Sequence, residues 1–373
     1  MNETMKPIAD ASASASASAS ASASASASAH AAVTPAPVPA LVPRKSPLTY
    51  LIRFQSLLGL ILVLIGGVLF SPRRHGHILF LATDNIANIV RSISETGILA
   101  LGMTFVIIAA GIDLSVGAVL GLSSVLTATL LVNEGWGIAS TLALVLVVGT
   151  LFGLMQGVLS TRLRIQAFIV TLAGLQAARG LALIASGNTF ININYGVGPG
   201  NAPPGFAILG ERLLGDTFPV ATLVFVILAA FATFLLNRTR YGRYVFAVGG
   251  NERAARLSGI PVQWIKISVY GLSGLCAGIA GIVHAGQFSF GSPNDGTGYE
   301  LNAIAAVVIG GTDLFGGAGS MVGTIAGAVM LGALANILQL NDVSAAMQLL
   351  ATGAIIVLAA GLQTIIRRDG STR

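Results

Sequence analysis

Long apolar runs, rather than an alternation of apolar and polar positions, dominate this chain. They fall near residues 50–70, 88–110, 113–132, 139–160, 166–186, 218–236, 265–286, 299–311, 319–340 and 345–366. A helix that crosses a bilayer needs about 20 such residues. Most runs reach that length, but 299–311 is short and 88–132 is interrupted by the sequence GIDLSVG. The pattern predicts an all-α polytopic membrane protein with about ten transmembrane helices. An even number of crossings puts both termini on one side.

Composition agrees. Hydrophobic residues make up 54% of the 373 and charged residues only 9%, where a soluble domain carries about 25% charged. The 46 glycines suit helices that pack closely through small residues. A pI near 9.9 does not call for a nucleic-acid partner, because the basic residues sit in loops beside apolar spans, as the positive-inside rule requires. The sole cysteine, Cys276, lies within an apolar run, so neither a disulfide framework nor a cysteine metal cluster is expected.

The first 48 residues are of another kind. A strict Ala-Ser alternation from Ala11 to Ser28 gives way to a Pro-rich stretch, Pro35 to Pro47. Neither has the apolar side chains that offset chain entropy, so a disordered tail is expected over 1–48. It lacks the apolar core of a signal peptide, since the first apolar run begins near Tyr50. The membrane domain is expected over 49–368, followed by a short tail, 369–373.

Charge sets the expected orientation. Arg44, Lys45 and Arg53 precede the first run, Arg367, Arg368 and Arg373 follow the last, and Arg162 and Arg164 share that side in a ten-span count. The 187–217 segment then lies outside. Arg73 and Arg74 fall on the outer side, against the trend.

The one substantial polar module lies between two apolar runs, from Asn237 to Lys266. It carries Arg238, Arg240, Arg243, Arg253, Arg256 and Lys266 against a single acid, Glu252. Within it Asn251 suits a helix N-cap, Glu252 and Arg256 are spaced i,i+4, Gly259 suits the position just past a helix end, and Pro261 prevents continuation. The 237–264 loop is therefore expected on the cytoplasmic side, holding one short, separately capped helix. A basic surface loop and a docking element both fit this description.

A repeat runs through the chain: Gly111–Gly117 (GIDLSVG) recurs as Gly311–Gly317 (GTDLFGG). Repeats whose broken helices line the pathway are common in transporters, and an acid at membrane depth is a functional candidate. Asp113 and Asp313 accordingly have two readings, an N-cap for the helix that follows the glycine break or a pathway group; the capping role is preferred. No G-x-x-x-x-G-K-[ST] occurs, and Lys6, Lys45 and Lys266 are the only lysines, none in a Gly-rich loop. H-E-x-x-H and G-x-S-x-G are also missing. His75 and His77 read as a solvated turn with Arg73 and Arg74, and His284 as an interfacial residue at the end of a span.

Four stretches carry a resemblance. They are ALGMTFVIIAAGIDLSVGAVLGLSSVLTA (100–128), RLRIQAFIVTLAGLQAARGLA (162–182), AVGGNERAARLSGIPVQWIKISVYGLSGLCAGIAGIV (247–283) and AIAAVVIGGTDLFGGAGSMVGTIAGA (303–328). In this order they resemble the ribose-type permeases of bacterial ABC importers over residues 50–368. The resemblance implies a ten-helix inner-membrane permease that works as a pair, with a cytoplasmic ATPase that binds ATP and Mg, and a periplasmic sugar-binding protein. It also implies that Gly250–Gly259 is the coupling helix docking on the ATPase. Gln156 stands where the family has Asn, and Ala167 where it has Pro, whose loss is expected to relax a kink in the 166–186 helix.

The reading that results is a permease subunit that translocates a monosaccharide without an ATPase site of its own. Asn251, Glu252, Arg253, Ala254, Ala255, Arg256 and Gly259 form the expected coupling element, with Ala254 and Ala255 in an ATPase cleft and Arg253 and Arg256 pairing with acids there. Gly111, Asp113, Gly311 and Asp313 mark the repeat turns. Gln156, Gln166, Thr171, Gln176 and Asn302 are polar groups in or beside spans, fit either for the pathway or for bonds between helices. Arg179 is expected to snorkel to the outer interface. The alternatives are a branched-chain amino-acid permease of the same superfamily, an ion-coupled secondary transporter, and a channel or scaffold.

Overall fold

The computed structural model describes residues 55–74, 76–213 and 217–371, all within one compact unit, Pro47–Arg373. The tail expected at 1–48 lies outside the described residues. Among the described residues twelve α-helices run in the order α1 (Gln55–Leu69), α2 (Thr83–Ile108), α3 (Val116–Ala128), α4 (Ile138–Arg162), α5 (Ala167–Ser186), α6 (Val220–Arg238), α7 (Arg240–Gly250), α8 (Glu252–Leu257), α9 (Val262–Phe288), α10 (Tyr299–Ile309), α11 (Met321–Leu340) and α12 (Ala345–Ser371). Helix α3 continues through a π-helical turn, Thr129–Asn133. Residues 369–371 continue α12 rather than leaving it.

Among the described residues seven helices are long and apolar enough to cross a membrane: α2, α3 with its π turn, α4, α5, α6, α9 and α11; three shorter apolar helices, Ser56–Leu69, Tyr299–Ile309 and Ala345–Ile355, accompany them. Each apolar run of the sequence carries one of these. The protein is thus an all-α polytopic membrane protein. Helices α2, α3 and α9 make the core, about four-fifths buried along their apolar windows, whereas α4 and α5 bury only 28% and turn their other faces outward. Small residues bring α4 and α9 together. A Cβ on Gly153 would overlap the Tyr270 carbonyl oxygen, and one on Gly274 the Gly149 carbonyl oxygen.

Two ends can be told apart. The turns after α2 and α10, together with α7 and α8, share one end, called here the α8 end. At the other, Asn341 just past α11 donates to the carbonyl of Phe70 just past α1 (3.1 Å). The hairpin of β1 (Arg73–Arg74) and β2 (His77–Ile78) follows there, so the arginine pair lies away from α8. Strand β3 (Ile191–Asn192) leads into the loop that continues to β4 (Arg212–Leu213) and β5 (Phe218–Pro219), which pair with each other. Strand β6 (Phe290–Gly291) pairs with β3 and ties that loop to the chain leaving α9.

Two expectations need correction. The polar module holds two helices, not one: α7 precedes α8, its first turn capped by Thr239, whose hydroxyl accepts from the Gly242 amide (3.3 Å). Ala167 is the first residue of α5, where proline is tolerated because that amide has no partner within the helix. Its replacement by alanine therefore relaxes no kink.

The α4–α9 contact makes a test. Gly153→Leu should lower the melting temperature in detergent, overpacking costing about 1–3 kcal/mol, while Gly66→Leu, where a Cβ meets nothing within 4 Å, should leave it unchanged. Equal stability of the two variants would contradict the packing described.

Candidate functional site

Helix α8 is short, so its stability comes from its ends. The Asn251 side chain accepts from the Ala254 amide (3.0 Å). At the other end the Gly259 amide bonds to the Arg256 carbonyl (3.1 Å) and the Ile260 amide to the Ala255 carbonyl (3.1 Å), with Gly259 at φ 80°. This is the Schellman closure, which favours glycine because the left-handed backbone crowds a Cβ. Glu252 accepts from Arg256 on its own helix (2.9 Å) and from Lys266 on α9 (2.6 Å). The second bond joins α8 to the helix that enters the membrane. The Lys266 hydrogen bond holds the Glu252 carboxyl below its ordinary 4.5. This bracing is therefore complete above pH 4.5 and fades only as pH falls through the lowered value.

Burial orients the helix. Ala255 is only 4% exposed and belongs to the core, whereas Leu257 is 90% exposed, and Arg253, Ala254 and Arg256 are exposed with it. Ala255 is therefore not on the free face, contrary to expectation: the seat of α8 on the bundle sets its rotation, which spacing alone does not reveal. Leu257 was missed, although a leucine among arginines in a capped helix is a visible signal.

The two repeat turns meet beneath this module. The Gly317 amide donates to the Ile108 carbonyl (2.9 Å), and α7 ends on that junction, since a Cβ on Gly249 would overlap the Ile108 carbonyl oxygen. Asp113 and Asp313 use one geometry. The Oδ1 of Asp113 accepts from the Ser115 amide (3.0 Å) and that of Asp313 from the Phe315 amide (2.9 Å). Neither is an N-cap: Ser115 holds that position for α3, and for α11 Ser320 does, its side chain accepting from Gly323. The aspartates instead close the turn before each helix, because an acid two residues before an amide bonds locally. Gly111 and Gly311 stand at the start of these turns, Gly311 at φ 86°.

The polar residues proposed from sequence do not converge on one site. Asp113 Oδ2 accepts from Ser273 of α9 (2.8 Å), and Gln156 of α4 donates to the Ser115 hydroxyl (2.8 Å). The Thr171 hydroxyl lies 3.4 Å from the Ile112 carbonyl. Gln156 and Thr171 thus bond between elements beneath the first turn. Gln166 lines a cavity of about 380 Å³ at the α8 end, with Arg164, Glu252, Arg256 and Lys266. Asn302 lines a separate cavity of about 340 Å³ among Ser92, Thr96, Gln348 and Thr352. Gln176 stands exposed on α5.

A second polar system lies deeper in the bundle, and two expectations fail there. His284 is 6% exposed rather than interfacial. Its Nδ1 lies 2.9 Å from Glu95 Oε2 on α2, and its Nε2 3.4 Å from Asp295 Oδ1. An imidazolium, with a donor on each nitrogen, matches these two carboxylates. Arg179 does not snorkel; its guanidinium bonds to the carbonyls of Pro293 and Asp295. The Glu95 and His284 signals were present as ionisable residues inside apolar runs. That they meet is a matter of tertiary packing.

A bundle with two repeat turns beneath a braced polar module, and a buried charge network at its centre, defines a polytopic permease. Residues 85–360 match the family model described as branched-chain amino acid transport system / permease component, and the chain belongs to this family. It is 41% identical to the ribose import permease protein of Escherichia coli K12 over 314 residues, 83% of this chain and 93% of that one. It is 40% identical to that of Bacillus subtilis 168 over 310 residues, 81% and 89%. It is 34% identical to the xylose transport system permease protein of Escherichia coli K12 over 341 residues, 78% and 87%. No solved structure matches.

The charge network makes a test of its own. His284→Leu leaves two buried carboxylates facing each other and should cost about 3–5 kcal/mol, as for a broken buried pair. Thermal unfolding in detergent should show the loss, and adding Glu95→Gln should restore part of it. Unchanged stability of the leucine variant would contradict the pairing.

Proposed function

We propose that this chain moves a ribose-like monosaccharide across the bacterial inner membrane, driven by ATP hydrolysed on a separate subunit docked against α8. The chain is a permease subunit of an ABC sugar importer; its relatives that import ribose and xylose support this reading. Importers of this kind work with an ATPase subunit and a periplasmic binding protein. A second copy of the permease completes the pathway. The arginines of the α4–α5 turn and of α7–α8 support placing the α8 end, with both termini, in the cytoplasm.

The observation that carries the coupling role is the bracing of α8. Its caps and the Glu252–Lys266 bond make it rigid with α9, and α7 rests on the junction of both repeat turns. A push on α8 therefore reaches α2, α3, α10 and α11 together, as switching between inward-open and outward-open states requires. Arg253, Ala254, Arg256 and Leu257 form the face toward the ATPase. Asn251, Glu252, Ala255 and Gly259 hold the helix in place.

Purified alone, the chain should hydrolyse no ATP, and with its ATPase and binding protein in proteoliposomes it should take up sugar only with ATP. Leu257→Asp should keep the melting temperature yet lose the ATPase on purification, because removing a buried leucine from a contact costs about 1.5–3 kcal/mol. Ala255→Trp should instead lower the melting temperature, by about 1–3 kcal/mol of overpacking. Full ATPase association and uptake in the Leu257→Asp variant would overturn the docking assignment.

A further inference from the structure

The chain between α9 and α10 does not return along the surface. It runs beside α3 into the middle of the bundle. The Gly291 backbone packs against Ser124 and Ala128, the Asp295 carbonyl lies at Gly121, and the Gly296 carbonyl at Gly117. The span of α3 with its π turn covers Val116–Asn133, 18 residues, or about 27 Å at 1.5 Å per residue. Ser124 is its ninth residue, so Asp295, between the levels of Ser124 and Gly121, sits near mid-span. Helix α10 then has only 11 residues, about 16 Å and so roughly half of a 30 Å hydrocarbon core. A non-helical stretch, Ser289–Gly298, running beside α3 from the level of Ala128 to that of Gly117, is thus followed by a helix too short to cross alone.

Its inner side is held by Asp295 and by α5. Asp295 Oδ2 accepts from the Ser124 hydroxyl (2.8 Å) and the Ser292 amide (2.8 Å), and Oδ1 faces His284. Arg179 holds the Pro293 and Asp295 carbonyls from α5. With Asp295 turned in, Asn294 and Thr297 turn out, and both are exposed. Gln176, exposed on α5, lies one turn from Arg179 and so shares its face. The carboxamides of Asn294 and Gln176 and irregular backbone therefore face outward near the level of Asp295, and Thr297, whose hydroxyl donates to the Asn294 carbonyl (2.7 Å), follows toward the start of α3. Facing lipid, such a surface would leave polar groups without hydrogen bonds, each costing several kcal/mol. Irregular backbone at this depth occurs only where it is buried in protein or lines water. The exposed side chains are uncharged carboxamides, which exchange hydrogen bonds with sugar hydroxyls, while the half-exposed Glu300 carboxylate beside Gly117 faces the opposite charge of Arg179.

We propose that Ser292–Gly298 lines the solute passage at mid-membrane, with Asn294, Thr297 and Gln176 as the groups that meet a neutral sugar. His284, Ser124 and Arg179 are positioning residues that fix the segment from behind. The proposal rests on the sugar-import reading above and adds the place of contact.

Single cysteines test it in the complete importer, reconstituted with ATPase and binding protein on a Cys276→Ser background. Asn294→Cys and Thr297→Cys should react with a small hydrophilic thiosulfonate and lose uptake, and saturating ribose should slow the reaction several-fold. Ile227→Cys, on the exposed side of α6, should stay unreactive. Should Asn294→Cys fail to assemble, Thr297→Cys carries the same reading. No reaction in an importer that still takes up ribose, or a reaction that ribose does not slow, overturns the proposal. Disulfide linkage of two copies through Asn294→Cys without thiosulfonate reaction would show a dry permease–permease contact, and overturns it equally. Absence of ATP-driven ribose uptake on the Cys276→Ser background, with the Cys276-containing protein equally inactive, would strike at the sugar reading itself.

Discussion

Lipid offers the backbone no hydrogen-bond partners, and that constraint organises this molecule more than any single contact. Each break in a buried helix frees amides and carbonyls that another element must satisfy. The chain breaks after α2, after α9 and after α10, and each break is met by groups distant in sequence. The Ile108 carbonyl takes the Gly317 amide. The turn at Asp113 is held by Ser273 of α9. The carbonyls of Pro293 and Asp295 take Arg179. The breaks therefore weaken individual helices while joining the bundle across its repeats.

That arrangement also gives a mechanical account. A continuous helix transmits displacement along itself, whereas two broken helices whose turns bond to each other transmit it sideways. Because α7 ends on the shared junction and Glu252 ties α8 to α9, the proposed docking face is in contact with both repeats. The half-helix α10 and the irregular segment before it lie further along the same path. In the proposed coupling, the elements that would receive the motion are continuous with the segment proposed to line the passage.

Much of this was legible in the chain. Apolar runs map onto helices because lipid-facing and core-facing sides are both apolar, so run length alone marks a span. The α8 caps were readable because capping is local: Asn251, Glu252 with Arg256, and Gly259 interact within a few residues. What failed depended on rotation or on partners far away. Ala255 and Leu257 differ only in which side of a short helix the bundle covers. Helix α7 reads as loop in the sequence because its arginines outweigh its apolar face. Asp113 and Asp313 read as N-caps in the sequence, whereas they bond the Ser115 and Phe315 amides in the turns before each helix. Arg179 and His284 looked peripheral because their partners, Asp295 and Glu95, lie more than a hundred residues away.

The central claim is that α8 and the two repeat turns move as one body. Double electron–electron resonance between spin labels tests it directly in the reconstituted importer. One label replaces Ser258, at the end of α8, and the other replaces Phe315, in the second turn. Their separation should be the same with and without ATP, while the distance from each to a label replacing Trp136, at the far end of the bundle, changes. A Ser258–Phe315 distance that shifts with nucleotide while Phe315–Trp136 stays fixed would mean that α8 slides over the turns, and would contradict the account.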